Sequence, residues 1–197
     1  QETKNVLKYI RSLEGTGKIL SGQMEAGNNM TAQMDKIKTK TGKFPAIVGF
    51  DIVWDGDDII ATAIESWNNR RQLITISSHL GAPPLADTFE NSKKGNRGLV
   101  EKVLTPGTVE HISFVSKLDT IAARLQTLEN NKVPVLWRPL HEMNGEWFWW
   151  SKSGCNNYTR LWKFMYNYLT DIKGLNNLIW VWSAWHEPGN PCWYPGH

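Results

Sequence analysis

Apolar positions along the chain alternate between helical spacing and short unbroken runs. Val6, Ile10 and Leu13 share one helical face, and "ILSGQ" (19–23) follows a "GTGK" turn as a first strand. A second helix is expected around Met30 to Thr39 with Met34 and Ile37 inward, stopped by Gly42 and Pro45 before the strand "AIVGFDI". "DDIIATAIESWNNR" reads as a helix, with Ile60, Ile64 and Trp67 at helical spacing, and "LITISSH" as strand three. The polar stretch "GAPPLADTFENSKKGNRG" (81–98) is too long for a simple connector and is a candidate part of a binding face. The clearest helix then carries Ile112, Val115, Leu118, Ala122, Leu125 and Leu128. Strand four, in "VPVLWRPLHE", precedes a helix over 158–173 with Leu161, Met165, Leu169 and Ile172 inward and Gly174 at its end. "NLIWVWS" (177–183) is strand five.

Short apolar strands without strict alternation, each followed by a helix, indicate parallel strands covered by helices and hence an α/β fold. An open doubly wound sheet and an eight-stranded (β/α)8 barrel both satisfy this order. Polar residues collect where strands end: Gln23 after the first, Asp51 after the second, His79 after the third, and Arg138, His141 and Glu142 after the fourth. A barrel brings all strand ends to one face, where such residues can surround one substrate. An open sheet would usually carry a phosphate-binding glycine loop after a strand; "EGTGK" instead precedes one and lacks the Walker pattern. The barrel is the favoured reading.

Composition narrows the chemistry. A net charge of +3 with short basic clusters at 36–43 and 91–98 argues against a nucleic-acid groove. No run approaches the roughly 18 apolar residues of a membrane span. The chain starts at Gln1 instead of Met, a mild hint of a trimmed, secreted protein. Cys155 and Cys192 are compatible with one disulfide or with two free thiols. There are 11 tryptophans, and all except Trp54 and Trp67 lie from Trp137 onward. Such a concentration serves packing, and its flat indole faces also suit stacking on sugar rings.

The run "RPLHEMNGEWFWW" (138–150) resembles the signature of glycoside hydrolase family 26, whose best-known members are β-mannanases. "GKILSGQ", "FPAIVGFD", "ITISSH" and "NLIWVWS" followed by "YPG" stand in the family's order, so the resemblance covers nearly the whole chain. It implies a (β/α)8 barrel and a retaining endo-β-1,4-mannanase needing neither metal nor organic cofactor. Glu142 would be the general acid/base, its protonated form favoured by burial among Trp147, Phe148 and Trp149. His79 and His141 would bind and orient the sugar where the bond is cleaved, and Arg138 would position carboxylates through a forked hydrogen bond. Trp147 would be a sugar platform, with Trp149 and Trp150 as inward walls. Asn144 would bind a hydroxyl or shape the turn, and Trp54 would line a further subsite or pack a loop. Ser151 and Ser78 depart from the family's usual Gly and Trp, which bears on substrate preference.

A retaining hydrolase needs a second carboxylate about 5 to 5.5 Å from the first. The family places it at the end of a seventh strand, which the resemblance puts beyond His197; Asp51, Glu25 and Glu187 do not correspond to it. Residues 1–197 are therefore expected to be the N-terminal portion of a single catalytic barrel, supplying about strands one to five. The remaining barrel polypeptide would come from outside this sequence. The expected partner is mannan or glucomannan, with no nucleic acid and no membrane. Alternatives are a family relative acting on β-glucan or β-1,3-xylan, or a carbohydrate binder without catalysis. A metal hydrolase is disfavoured, because His79 and His141 lack close ligand spacing.

Overall fold

The computed structural model describes residues 1–25, 31–53, 58–186 and 191–196. Five strands form one parallel sheet in the order β1-β2-β3-β4-β5, so an α/β fold is present. The strands are β1 (Gly22–Met24), β2 (Ile47–Asp51), β3 (Leu73–Ser77), β4 (Val135–Arg138) and β5 (Leu178–Trp180). The chain divides into two compact units: residues 1–77, 124–137 and 176–181 form one, and 78–123, 138–175 and 182–197 the other.

The first unit holds the sheet. Helix α1 (Glu2–Arg11) carries Glu2 in its first turn and Lys8 and Arg11 in its last, charges that complement the helix dipole. It buries Val6, whereas Leu13 falls in the turn beyond its end. Strand β1 begins later than the hydrophobic run implied, and Ile19 is 92% exposed. Gly22 pairs with Ile47, so residues upstream would face Pro45, which has no N–H to offer a ladder. At the centre of β2, a Cβ on Gly49 would stand 2.1 Å from Met24 Sδ and 3.2 Å from Thr75 Cγ2. Glycine there lets the neighbouring side chains close over the strand. Val48, Phe50, Ile74 and Ile76 are buried.

Helix α2 (Ala32–Thr41) buries Met34 and ends at Gly42, whose φ of 74° supplies a left-handed cap. Buried Glu25 accepts hydrogen bonds from the Gln33 and Met34 amides at 3.1 and 2.6 Å, satisfying donors of the first helical turn. Asp51 accepts from the Val53 amide at 3.1 Å and from Ser77 Oγ at 3.2 Å. In helix α3 (Asp58–Asn68) the buried stripe is Ile59, Ile60, Ala63 and Ser66; Ile64 and Trp67, expected inward, flank it half-buried.

The second unit is mainly helical, and two short helices, α4 (Phe89–Ser92) and α5 (Leu99–Leu104), lie in and just after the stretch expected as a loop. Thr88 caps α4 by accepting from the Asn91 amide at 3.1 Å. Asp87 accepts from the Gly81 amide at 2.8 Å and pairs with Lys117, which also donates to the Leu85 carbonyl. Helix α6 (Val109–Asn130) passes through both units. Its buried residues include Phe114, Leu118, Ile121, Leu125 and Leu128, a four-three-four-three stripe. Ile112, expected inward, is 61% exposed because it lies six residues before Leu118, about 120° round the helix.

Helix α7 (Cys155–Asn167) runs on into a π-helical turn, Tyr168–Ile172. Leu161, Met165 and Leu169 are buried as their spacing requires, but Ile172 is 69% exposed. The wide turn, closed by a bond from the Lys173 amide to the Tyr168 carbonyl, shifts the helical phase after Leu169. Gly174 then reverses the chain with φ 73°, and Leu175 is buried instead. Cys155 and Cys192 are joined in a disulfide with a Cα–Cα separation of 5.6 Å, settling the alternatives left open by the cysteine count. The bond ties a 3-10 turn (Pro191–Trp193) to the start of α7, where Trp193 also meets Tyr158 edge to face.

The phase of α6 has a direct test. Leu118→Ala should destabilise the protein by about 2–5 kcal/mol, whereas Ile112→Ala should stay within about 0.5 kcal/mol. Denaturant unfolding of both variants measures the difference.

Candidate active site

The second unit gathers most of the side chains that the strand-four motif singles out. After Arg138 the chain turns sharply: Leu140, Glu142 and Glu146 have φ of 47°, 55° and 61°. Left-handed backbone is costly for residues with a Cβ, and several in one short segment mark a conformation held by its surroundings. Glu142 is held by its own amide, which donates to the Ser183 carbonyl at 2.7 Å. The Gly145 amide closes the turn onto the Glu142 carbonyl at 3.0 Å. Gly145 also makes room for an indole, since a Cβ there would lie 2.2 to 2.5 Å from ring atoms of Trp147.

That indole is in direct contact with the carboxylate. Trp147 Nε1 donates to Glu142 Oε2 at 3.2 Å, and Glu142 is half-buried. The other rings expected around Glu142 are committed elsewhere. Phe148 stacks on Trp150 with centroids 4.4 Å apart and meets both histidine rings edge-on. Trp149 packs against Phe114 and donates to the Leu80 carbonyl at 3.0 Å. Trp150 donates to the His141 carbonyl at 2.9 Å. Trp149 and Trp150 are fully buried, as expected of inward-pointing rings.

His141 and His79 meet through their Nε2 atoms at 3.1 Å, so one ring donates and the other accepts. Phe89, from the stretch expected as a loop, packs edge-on to His79 at 5.8 Å. His141 is 2% exposed. Burial, followed by the charges of Arg138 and His79, lowers its pKa to about 2, so it is neutral throughout the physiological range. Arg138 donates to Ser183 Oγ at 3.2 Å.

Asn144 shapes the chain. Its Nδ2 donates to the Trp185 carbonyl at 3.1 Å while its Oδ1 accepts from the Trp185 amide at 2.8 Å. Trp185 in turn stands perpendicular to Trp147, with centroids 4.9 Å apart. His79, Arg138, His141, Glu142, Asn144 and Trp147 thus belong to one unit, whereas Trp54 and Glu187 lie outside the described residues. Ser183, Trp185 and Phe89 join the site without having been singled out from the sequence. The only signal for Trp185 was its place just after strand five, where barrel enzymes put functional residues.

A half-buried carboxyl beside an indole N–H, with a buried neutral His141 bonded to half-buried His79 in the same unit, is a group able to give and take a proton. The family model for glycosyl hydrolase family 26 matches residues 1–197, and the chain belongs to that family. A mannan endo-1,4-beta-mannosidase of Bacillus subtilis is 36% identical over 207 residues, covering 93% of this chain and 57% of the relative. The chain therefore spans little more than half the length of that enzyme.

Among solved structures, Bacillus subtilis mannanase man26 superposes with a TM-score of 0.89 at 32% identity, over all of this chain and 66% of the other. GH26A of Muricauda sp. gives 0.87 at 37% identity, over all of this chain and 69% of the other. A β-mannanase from a symbiotic protist of the termite Reticulitermes speratus, complexed with gluco-manno-oligosaccharide, gives 0.83 at 27% identity, over 99% of this chain and 66% of the other. The sheet is accordingly part of the TIM-barrel architecture of these neighbours.

The depressed pKa of His141 makes stability depend on pH. The unfolded chain binds a proton near pH 6.5 that the folded site does not take up until about pH 2. The contribution is complete above pH 6.5 and is lost as pH falls below it, by at most about 1.4 kcal/mol per pH unit. Urea midpoints between pH 7.5 and 4.5 should fall less steeply for His141→Gln than for the parent.

Proposed function

We propose that this chain is the acid/base portion of a retaining endo-β-1,4-mannanase acting on mannan-type polysaccharide. The observation that carries the reading is Glu142: a carboxyl on a constrained backbone, half-buried, with an indole N–H on one oxygen. The names of the relatives supply the substrate class, and the oligosaccharide bound by the termite-symbiont enzyme extends it to glucomannan.

In the first step the protonated Glu142 gives its proton to the glycosidic oxygen as the bond from that oxygen to C1 breaks. A second carboxylate attacks C1 from the opposite face and forms a glycosyl ester. In the second step water attacks C1, its proton passes to the Glu142 carboxylate, and the ester carboxylate leaves, so the configuration at C1 is retained. The second carboxylate is assigned to polypeptide outside these 197 residues, in the same catalytic barrel. Glu25 is occupied at the α2 terminus and Asp51 by Val53 and Ser77, which supports that assignment.

His79 and His141 orient the sugar at the cleaved bond. A neutral His141 suits this role, because it adds no positive charge beside Arg138. Trp147 serves as a platform while holding Glu142 by hydrogen bond. Secretion belongs to the same proposal and is supported by the Cys155–Cys192 disulfide, since such bonds persist mainly in oxidising compartments.

In the full-length protein, Glu142→Gln should reduce kcat on mannan by roughly 10²–10⁴-fold. Reducing-sugar release measures it, and an unchanged rate would remove Glu142 from the mechanism.

A further inference from the structure

Trp185 is treated unusually by its surroundings. Asn144 uses both ends of its amide on one residue, accepting from the Trp185 amide and donating to the Trp185 carbonyl. The same segment is fixed two residues earlier, where the Ser183 carbonyl accepts from the Glu142 amide. The backbone of Trp185 is therefore held in register with Glu142. Trp185 is nevertheless 48% exposed.

A tryptophan recruited for packing would bury its ring, because removing apolar surface from water is what stabilises it. Here the backbone is secured and the residue stays half-exposed within residues 1–197. The ring meets Trp147 at 90° with centroids 4.9 Å apart, and His186 at 61° with centroids 5.2 Å apart. The two indoles meet edge to face, and the N–H of Trp147 donates to the Glu142 carboxylate. A partly exposed aromatic residue beside a reacting group suits a flat, partly apolar ligand. A hexopyranose has such a face, where its axial C–H groups lie together.

We infer that Trp185 is a stacking platform for a hexopyranose ring adjoining the bond that Glu142 protonates, with Asn144 as its positioning residue. The inference rests on the proposed function and adds a binding element to it. It explains why Asn144, two residues after the acid, is bonded to the backbone beyond strand five. Trp147 and Trp185 then recognise the sugar chain together, one through the wall it shares with Glu142 and the other through an accessible face.

The test uses the full-length protein carrying Glu142→Gln, so that oligosaccharide stays intact, and calorimetric titration with a β-1,4-linked mannopentaose. Adding Trp185→Leu should weaken Kd about tenfold, equivalent to ~1.4 kcal/mol, while Trp185→Phe, which keeps a flat ring, should lose no more than about threefold. Asn144→Ala should weaken Kd in the same direction as Trp185→Leu. A Trp185→Leu protein that binds within twofold of its parent overturns the inference and leaves the acid assignment standing. Intact hydrolysis by Glu142→Gln alone overturns both.

Discussion

The site depends on a backbone that would not choose its own conformation. Glu142 has φ 55°, a region costing a residue with a side chain about 1–2 kcal/mol. What holds it there is the hydrogen bond from its amide to the Ser183 carbonyl, together with the turn closed by Gly145. This geometry fixes where the carboxyl emerges from the chain. Relaxation to ordinary extended or helical backbone would reorient the side chain and separate it from Trp147 Nε1.

Around that constraint the aromatic run divides its labour. Trp149 and Trp150 are interior residues whose N–H groups satisfy backbone carbonyls, which lets large rings be buried without leaving a donor unpaired. Phe148 packs the histidine pair from one side and Phe89 meets His79 from another. Trp147 remains beside Glu142. Consecutive residues in a tight, irregular segment can point in such different directions, whereas a helix or strand would repeat two or three directions.

Much of the framework was legible from periodicity. Strands two to four were located within a few residues, and the stripes of α6 and α7 were largely correct. The misses have specific causes. Ile112 was assigned by local spacing at a helix end, where the stripe is set instead by Leu118 and Phe114. Ile172 was displaced by a π-helical turn that hydrophobic spacing does not announce. Ile19 was read into a strand whose extent depends on Pro45, which stands two residues before the neighbouring strand β2. At the site, the motif singled out residues close in sequence. Ser183 and Trp185 lie beyond strand five and join it through long-range hydrogen bonds, which one-dimensional patterns do not record. Family membership came from the motif, and the contacts that shape it came from the fold.

The central claim is that Glu142 transfers the proton and is not the group that bonds to C1. Replacing it with alanine in the full-length protein and supplying azide with an activated aryl β-mannoside separates these roles by the product formed. The account predicts that azide raises turnover and yields the β-mannosyl azide, with configuration retained. An α-mannosyl azide, or turnover indifferent to azide, would contradict it.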